Sequence, residues 1–509
     1  MPAPHYDRLS ATDLVFLELE SGNVSMHIGA VCIFDGEALL GRRAALDIEP
    51  MRAFVEGALA GNARFRQRLA YVPLLEHPLW IDDARFNLDY HVHHAALPRP
   101  GGERELKRLA GRIMSERLDR GKPLWEMWFV DGLAERRVAL IAKFHHCMID
   151  GIAGVDMLAA LLRLDRGRQV AAPTPWTPRP APSAARLLAD EMARRAALPL
   201  AALRGAGELL ADPRRVLDAA GAALRDLGQA VGANLTVASQ TPLNVSVGPH
   251  RRFDWTRIDL DAVKAVKERL GGTVNDVVLA VVAGAVGRYL ERTGVDLHGL
   301  DFRMTMPVNA RPAGEHGTLG NRVGVLTIPL PIAERDPRTR LRTIIDTTQQ
   351  LKQSGQLHGV EMIAELSDRL FPPLAGWLAW VAARTRMYNL SVTNVPGPQV
   401  PVYLLGARML AIYPLAFLFS NQALTIAILS YDGGLFWTLT ADPAVLPDLH
   451  QVVDATEEEF ERLRRAAHAN PKPAQRAAGG ARRRRPPRTP SGRSGRGAAP
   501  TVNVRRRSP

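Results

Sequence analysis

The chain has 509 residues, 46% of them hydrophobic and 23% charged, a length that exceeds one ordinary core and predicts two large lobes. Twelve of its 65 Lys and Arg residues fall between positions 471 and 509, where no acid occurs; the rest carries 53 basic against 52 acidic residues, and a near-neutral body speaks against a nucleic-acid-binding fold, whose basic patch lies on the folded surface. The two cysteines, Cys32 and Cys147, match neither a disulfide framework nor a paired metal spacing, which fits a reducing cytoplasm.

The first twenty residues contain Asp7, Asp13, Glu18 and Glu20 and no apolar core segment, so no signal peptide is expected. Ser10 followed by Asp13 predicts a capped helix. Strands are expected over His27–Phe34 and Tyr71–Leu74, with a helix over Ile48–Ala60 between them. The run Phe86 to His94 ends in His91, His93 and His94. On a strand His91 and His93 share one face and His94 points away. With no further Cys or His nearby, a polar strand edge over the active cleft is preferred to a metal site. A helix over Glu103–Leu118 leads to Pro123-Leu124-Trp125 and a strand through Val130, and a second strand covers Val138–Phe144.

Residues 152 to 162 have a helical apolar pattern. Five prolines between Pro173 and Pro182 predict a stiff linker. The Ala/Leu/Arg-rich region from Ser183 to Ala233 reads as connecting helices, either a solvated crossover or an amphipathic lipid-facing surface. The second half repeats the alternation of strand and helix: strand Phe253–Leu260, helix Asp261–Leu270, and a long apolar helix over Val277–Tyr289 capped by Thr273 or Asn275. Strands Phe302–Val308 and Val323–Leu330 and helices Pro337–Gln353 and Gly359–Leu370 follow. The apolar segment Pro372–Ala383, with Trp377 and Trp380, is too short to span a bilayer. Met409–Ser430, interrupted by Pro414 and Ser420-Asn421-Gln422, reads as two buried strands rather than a membrane span. A strand over Leu435–Thr440 and a helix over Leu446–Ala467 close the fold, and the Pro/Gly/Arg/Ser-rich remainder is expected to be disordered.

The chemistry concentrates at Phe144-His145-His146-Cys147-Met148-Ile149-Asp150-Gly151, where a strand ends and a helix begins. Histidine takes and returns a proton near neutral pH. No G-x-S-x-G elbow occurs, so a serine hydrolase has no support. Cys147 follows His146 directly, and neighbouring side chains on extended backbone diverge, against a Cys-His pair. Zinc on His145, His146 and Asp150 would lack a further ligand. A purely structural His-His pair and direct attack by an alcohol on an activated acyl group, with His146 as base, both remain open on these residues alone. Asp150 would orient the imidazole or hold the turn.

The segment His145 to Gly151 has the H-H-x-x-x-D-G pattern of the CoA-dependent acyltransferase superfamily. With Leu9-Ser10-Ala11-Thr12-Asp13, Met26-His27-Ile28-Gly29, Phe65 to Leu69, Pro123-Leu124-Trp125-Glu126, Thr273 to Ala280 (including Asn275-Asp276), Pro307-Val308-Asn309, Leu319-Gly320-Asn321 and Thr393-Asn394-Val395-Pro396-Gly397-Pro398, the chain resembles the bacterial wax ester synthase/diacylglycerol acyltransferase family, in its order, over residues 5 to 465.

The resemblance implies an α/β fold: two chloramphenicol-acetyltransferase-like lobes with a substrate channel between them, here followed by a basic tail. The expected division is an N-terminal lobe over 1–170, linker and crossover helices over 171–245, a C-terminal lobe over 246–468 and the tail over 469–509. The implied activity is acyl-CoA-dependent esterification of diacylglycerol or a long-chain fatty alcohol, giving triacylglycerol or wax ester. His146 is then the general base, Asp150 supports the motif loop with His145 and Gly151, and Asn275 positions substrate or stabilises the oxyanion. Pro123, Leu124 and Trp125 line the channel, and Thr393 and Asn394 are further oxyanion candidates. Neither metal nor cofactor is implied; acyl-CoA is a co-substrate. No specific nucleic acid is expected as a partner. The implied location is cytoplasmic and peripheral to a membrane or lipid droplet, with the tail and the Trp377/Trp380 segment as contacts. A carrier-dependent condensation enzyme and an inactive lipid-binding relative are the competing readings.

Overall fold

The computed structural model describes residues 6–41, 45–59, 61–148, 161–167, 176–196, 237–309, 323–353 and 386–469. Two six-stranded sheets organise them. The first takes β2 (His27–Asp35), β5 (Val92–Ala96), β6 (Trp125–Asp131) and β7 (Arg137–His145) from the first half of the chain. It takes β12 (Tyr403–Leu404) and β13 (Ala407–Leu415) from the second half, in the order β12-β13-β2-β7-β6-β5. The second sheet runs β10-β9-β11-β14-β15-β8, with β8 (Arg252–Asp259), β9 (Arg303–Asn309), β10 (Val323–Pro329), β11 (Leu390–Pro396), β14 (Leu424–Tyr431) and β15 (Gly434–Ala441). A small sheet joins β1 (Asp7–Arg8), β4 (Pro78–Asp82) and β3 (Gln67–Tyr71).

Local signals set most of the helices. In α1 (Ala11–Leu19) the Ser10 hydroxyl accepts from the Asp13 N–H at 3.1 Å, and Asp13 accepts from the Ser10 N–H at 3.2 Å. The helix α2 (Ile48–Leu59) buries Met51, Phe54, Val55 and Leu59. The parallel pair β5 and β6 needs a crossover, and α3 (Glu103–Ser115) supplies it, burying Leu106, Leu109, Ala110, Ile113 and Met114 at helical spacing. A helix α4 spans 184–196. In the second lobe, α5 (Leu260–Leu270) is followed by α6 (Val274–Arg292), capped by Thr273 in a reciprocal box with Asp276. With α7 (Pro337–Gln353) and α8 (His450–His468) these helices cover one face of the second sheet. Among the described residues no single helix is long and apolar enough to cross a membrane.

The opposite face of the second sheet turns toward the first lobe. Trp255 stacks on Tyr413 of β13 at 4.7 Å, and Phe253, Leu429, Tyr431 and Phe436 join the first lobe's apolar core. This corrects the division by sequence: residues 403–415 lie inside the expected C-terminal lobe but complete the first sheet. β13 pairs antiparallel with β2, from Met409 opposite Phe34 to Leu415 opposite Gly29. The physical reason is an edge. Without β13, β2 would present its unpaired backbone to solvent. The stretch 409–430 does contain two buried strands, but they belong to different sheets.

Two smaller expectations also change. The strand expected over 71–74 lies at Gln67–Tyr71, and Leu74 and Glu76 take positive φ (65° and 50°) in the turn to β4. His91 sits in a short 3-10 cap before β5, outside the strand. The helix expected over 152–162 apart from its last two residues, the helix expected over 359–370, the segment 372–383, Leu319-Gly320-Asn321, all of 197–236 and the tail from residue 470 lie outside the described residues.

One glycine controls the approach of the two strands that carry the site. A Cβ on Gly29 of β2 would run into the Ala142 carbonyl of β7. Gly29→Ala is therefore expected to force the strands apart and lower stability by about 1–3 kcal/mol, read as a reduced chemical-denaturation midpoint.

Candidate functional site

The histidine pair sits where β7 ends. His145, the last residue of that strand, lies opposite His27, the first residue of β2, and their rings meet edge to face at 5.9 Å. Two backbone bonds fix the exit from the strand: His145 N–H donates to the Leu124 carbonyl (3.0 Å) and His146 N–H to the Met26 carbonyl (2.8 Å). The turn is closed by Met148 N–H donating to the His145 carbonyl at 2.9 Å.

Behind the turn lies a buried charge network. His145 is 1% exposed, and its Nδ1 accepts from the Cys147 N–H at 3.2 Å. An accepting Nδ1 leaves Nε2 as the protonated position, and Nε2 faces Glu20 Oε1 at 3.5 Å. Glu20 also receives Arg120, whose NH2 and Nε lie 2.7 and 3.2 Å from Oε2. Arg120 further donates to the Leu17 carbonyl, which ties it to the end of α1. Burial by itself would raise the Glu20 carboxyl, but His145 and Arg120 override it and hold the group down at about 2. His27 Nε2 stands 3.8 Å from Glu20 Oε1, and burial pushes its pKa well down. His145 is thus held by the Cys147 N–H at Nδ1, faces the Glu20 carboxylate from Nε2, and reads as the support of the loop.

His146 differs in every respect. It is half-buried, while His145, Cys147 and Met148 are fully buried. Its imidazole lies face to face with Phe16 of α1, with centroids 3.9 Å apart at 20°, and edge-on to Phe417 at 5.6 Å. Phe417 belongs to the segment that leaves β13 for β14, so the ring is held at the seam between the two sheets. Phe417 then meets Phe419 (5.0 Å) and Phe419 meets Tyr388 (6.0 Å), which extends an aromatic wall away from the histidine. Burial lowers the His146 pKa to about 4, with the neighbouring His145 adding to the effect. The imidazole is therefore neutral across the physiological range and able to accept a proton.

That shift has a sign that kinetics can read. A histidine at its ordinary value would begin to protonate near pH 6.5 and lose its basicity there. With the folded value at about 4, kcat/KM is expected to stay level from about pH 8 to about pH 5.5 and to fall only as pH approaches 4. A half-point near 6.5 in the free enzyme would contradict the buried, aromatic-clamped geometry.

The remaining candidates divide. Asp150 and Gly151 lie outside the described residues. Pro123, Leu124 and Trp125 do not line an open channel: all three are buried, and Leu124 and Trp125 have no exposed surface. The Trp125 indole donates to the Phe65 carbonyl at 2.8 Å and stacks on His91 at 4.6 Å, and Leu124 supplies the carbonyl that receives His145. These residues hold the motif strand from behind. Asn275 is in the first turn of α6, half-buried, with its amide 3.4 Å from Met306 Sδ of β9. Thr393 and Asn394 are half-buried on β11, past Ser391, the last β11 residue that pairs with β9. His91, His93 and His94 disperse to Trp125, Trp128 and Asp131 on the edge strand β5 and its approach. Burial pushes the Cys147 thiol well up, so no thiolate forms beside His146.

Glu20, Arg120, Phe16, Phe417 and the fully buried Lys143 are the site residues that sequence reasoning missed. Lys143, two residues before His145, donates to the Ile113 and Glu116 carbonyls at the end of α3. The one local signal for any of them is Lys143 itself, a charge inside an otherwise apolar strand. The others are joined only by the fold.

Residues 9–278 match the model of the wax ester synthase/diacylglycerol acyltransferase catalytic domain, and residues 319–464 that of the WS/DGAT C-terminal domain. A Mycobacterium tuberculosis (strain CDC 1551 / Oshkosh) protein named as a diacylglycerol O-acyltransferase is 32% identical over 465 residues, 90% of each chain. A probable diacylglycerol O-acyltransferase of M. tuberculosis (strain ATCC 25618 / H37Rv) is 29% identical over 468 residues, 90% of this chain and 96% of that one. The solved wax ester synthase/diacylglycerol acyltransferase from Marinobacter aquaeolei VT8 superposes with a TM-score of 0.63 at 26% identity, covering 91% of this chain and 100% of that chain. The first condensation domain of the calcium-dependent antibiotic synthetase shares the fold, with a TM-score of 0.56 at 16% identity over 92% of this chain and 97% of that one. With both family domains present in order and the two motif histidines at the junction of its two sheets, the chain belongs to the wax ester synthase/diacylglycerol acyltransferase family and is an acyltransferase.

Proposed function

We propose that the chain transfers a long-chain acyl group from acyl-CoA to the hydroxyl of diacylglycerol or of a long-chain fatty alcohol, with His146 as general base. The observation that carries this reading is the imidazole of His146: neutral, half-buried, and held by Phe16 and Phe417 where the lobes meet. In the forward step a ring nitrogen of His146 takes the hydroxyl proton as the alcohol oxygen bonds to the thioester carbonyl carbon. The tetrahedral oxyanion then collapses, the carbon–sulfur bond breaks, and the imidazolium returns the proton to the CoA thiolate. Base assistance of this kind contributes roughly 10²–10⁴-fold. Asn275, at the positive end of α6, and Thr393 and Asn394 are the proposed donors to the oxyanion, one such donor contributing roughly 10²–10³-fold.

Because both acceptors reside in lipid, the protein would work at a membrane or droplet surface while remaining peripheral to it. Asp150 and Gly151 would support the motif loop. Diacylglycerol ranks first by a small margin, since a hydrophobic passage discriminates bulky alcohols weakly. The test is release of free CoA from oleoyl-CoA across a panel of diacylglycerol, hexadecanol and no acceptor, with the ester product identified. Acceptor-dependent CoA release is expected. Absence of release with every acceptor would overturn the reading, as would a strict need for a carrier-bound acyl group.

A further inference from the structure

Outside the histidine site, a charge-lined cleft of about 910 Å³ lies between the two lobes, walled by α3 on one side and by residues 249–254 with His450 on the other. Six cationic residues line it against two acids, Glu116 and Asp254. Asp254 is already engaged by Lys107 (2.6 Å) and by His450 (3.0 Å).

Arg104, Arg108 and Arg112 recur at four-residue spacing, so they form one exposed row along α3, about 6 Å apart on the helix axis. Among the described residues no carboxylate lies within ion-pair distance of any of the three. Like charges at that spacing weaken a helix by a few tenths of a kcal/mol per pair, so the row is not there for the stability of α3. A basic stripe on a solvated helix face would by itself be unremarkable. Here it faces a concave space, and the space contains a buried cation.

Arg251 is 6% exposed. Its NH1 donates to the Gly248 and His250 carbonyls and its NH2 to the Asn23 carbonyl, all neutral acceptors. Its Nε has no partner among the described residues. Asp442 acts on it at longer range, and burial still lowers its pKa to about 10. A buried guanidinium without a carboxylate is costly unless an anion completes it.

We propose that this cleft receives the phosphorylated nucleotide end of CoA, the adenosine 3′-phosphate 5′-diphosphate, with Arg104, Arg108 and Arg112 on its phosphates and Arg251 beneath them. The inference rests on the acyl-CoA reading above and names where that co-substrate is held. Guanidinium groups suit phosphate through paired, charge-assisted hydrogen bonds. The volume falls in the range of small-ligand sites, and a concave seam between lobes fits a compact polyphosphate better than a flat lipid surface. The nucleotide end would then be anchored at the same lobe seam that carries His146, and the acyl thioester would be delivered along it.

The test uses the full-length protein, its R108E/R112E variant and the charge-preserving R108K/R112K variant. Calorimetry with adenosine 3′,5′-bisphosphate is expected to show binding to the wild type, a loss of roughly tenfold or more in R108E/R112E, and retention of most affinity in R108K/R112K. In kinetics, R108E/R112E should raise the KM for oleoyl-CoA by a similar factor with kcat changed by less than about twofold. The wild-type preference for oleoyl-CoA over oleoyl-pantetheine should shrink in the same variant. No bisphosphate binding to the wild type, or an unchanged KM in R108E/R112E, would overturn the site. So would loss of binding to phosphatidylglycerol vesicles with bisphosphate affinity intact, which would make the cleft an anionic-lipid surface. Bisphosphate binding by a wild type that never releases CoA from oleoyl-CoA would overturn the acyl-CoA reading and leave the site standing.

Discussion

His146→Ala is expected to cut acyl transfer by roughly 10²–10⁴-fold, the range that general-base assistance supplies, with little change in fold. The two halves of that statement have separate structural grounds. The backbone bonds that shape the turn use the N–H groups of His145, His146 and Met148, and Ala keeps the one at position 146. What Ala removes is the ring between Phe16 and Phe417. Loss of those contacts leaves a small gap at a half-buried position, not a hole in either core. A thermal midpoint close to wild type, together with acyl transfer reduced to the rate supported by positioning alone, is the expected pair of results, measured by melting and by CoA release. His145→Ala should behave in the opposite way. It removes a ring that accepts from Cys147 N–H and faces Glu20, so it should lower the midpoint as well as activity. If His146→Ala retained wild-type turnover, the proton would have to leave by another group, and the mechanism proposed here would fall.

The features legible in the sequence are those in which the signal and its partner lie within a few residues. Ser10 with Asp13 and Thr273 with Asp276 each satisfy both halves of a capping box within one turn, and both helices start there. The histidine motif is similarly local: the strand ends in His145 and His146 leaves it, although the resemblance, and not the spacing of the two residues, assigns the base role to His146. The membership of β13 in the first sheet was not legible. Its alternation reports that it is buried and says nothing about whether Phe34 or a strand of its own half lies beside it. Trp125 shows the same limit in a side chain. An aromatic residue beside the site could line a passage or brace it, and only the contacts with Phe65 and His91 decide for bracing. Glu20 and Arg120 are a hundred residues apart and neither stands in an unusual local context, so their pairing under the motif is a product of tertiary structure alone.

That pair leads to the second large effect, in stability and its dependence on pH. Glu20→Gln keeps the shape of the side chain but removes the one negative charge that, among the described residues, faces Arg120, His145 and His27 at ion-pair distance. Breaking a wholly buried pair by neutralising one partner costs roughly 3–5 kcal/mol. Glu20 has a side chain 5% exposed, but Arg120 is 38% exposed and can rehydrate, so a loss on the order of 2 kcal/mol is expected at neutral pH. The pH dependence follows from the direction of the shift. The carboxyl is held at about 2 in the folded chain, below its value of 4.5 in an unfolded one. The unfolded state therefore binds the proton first, and the stabilisation from this group is complete above about pH 4.5 and is lost as pH falls toward 2. The glutamine variant has no such proton to bind. Its deficit relative to wild type should be largest near neutrality and should close steadily between about pH 4.5 and pH 2, as measured by urea unfolding at a series of pH values. A deficit that stayed constant through that window would mean that Glu20 acts through packing alone. A variant as stable as wild type at pH 7 would mean that Arg120 and the two histidines under the motif need no anion.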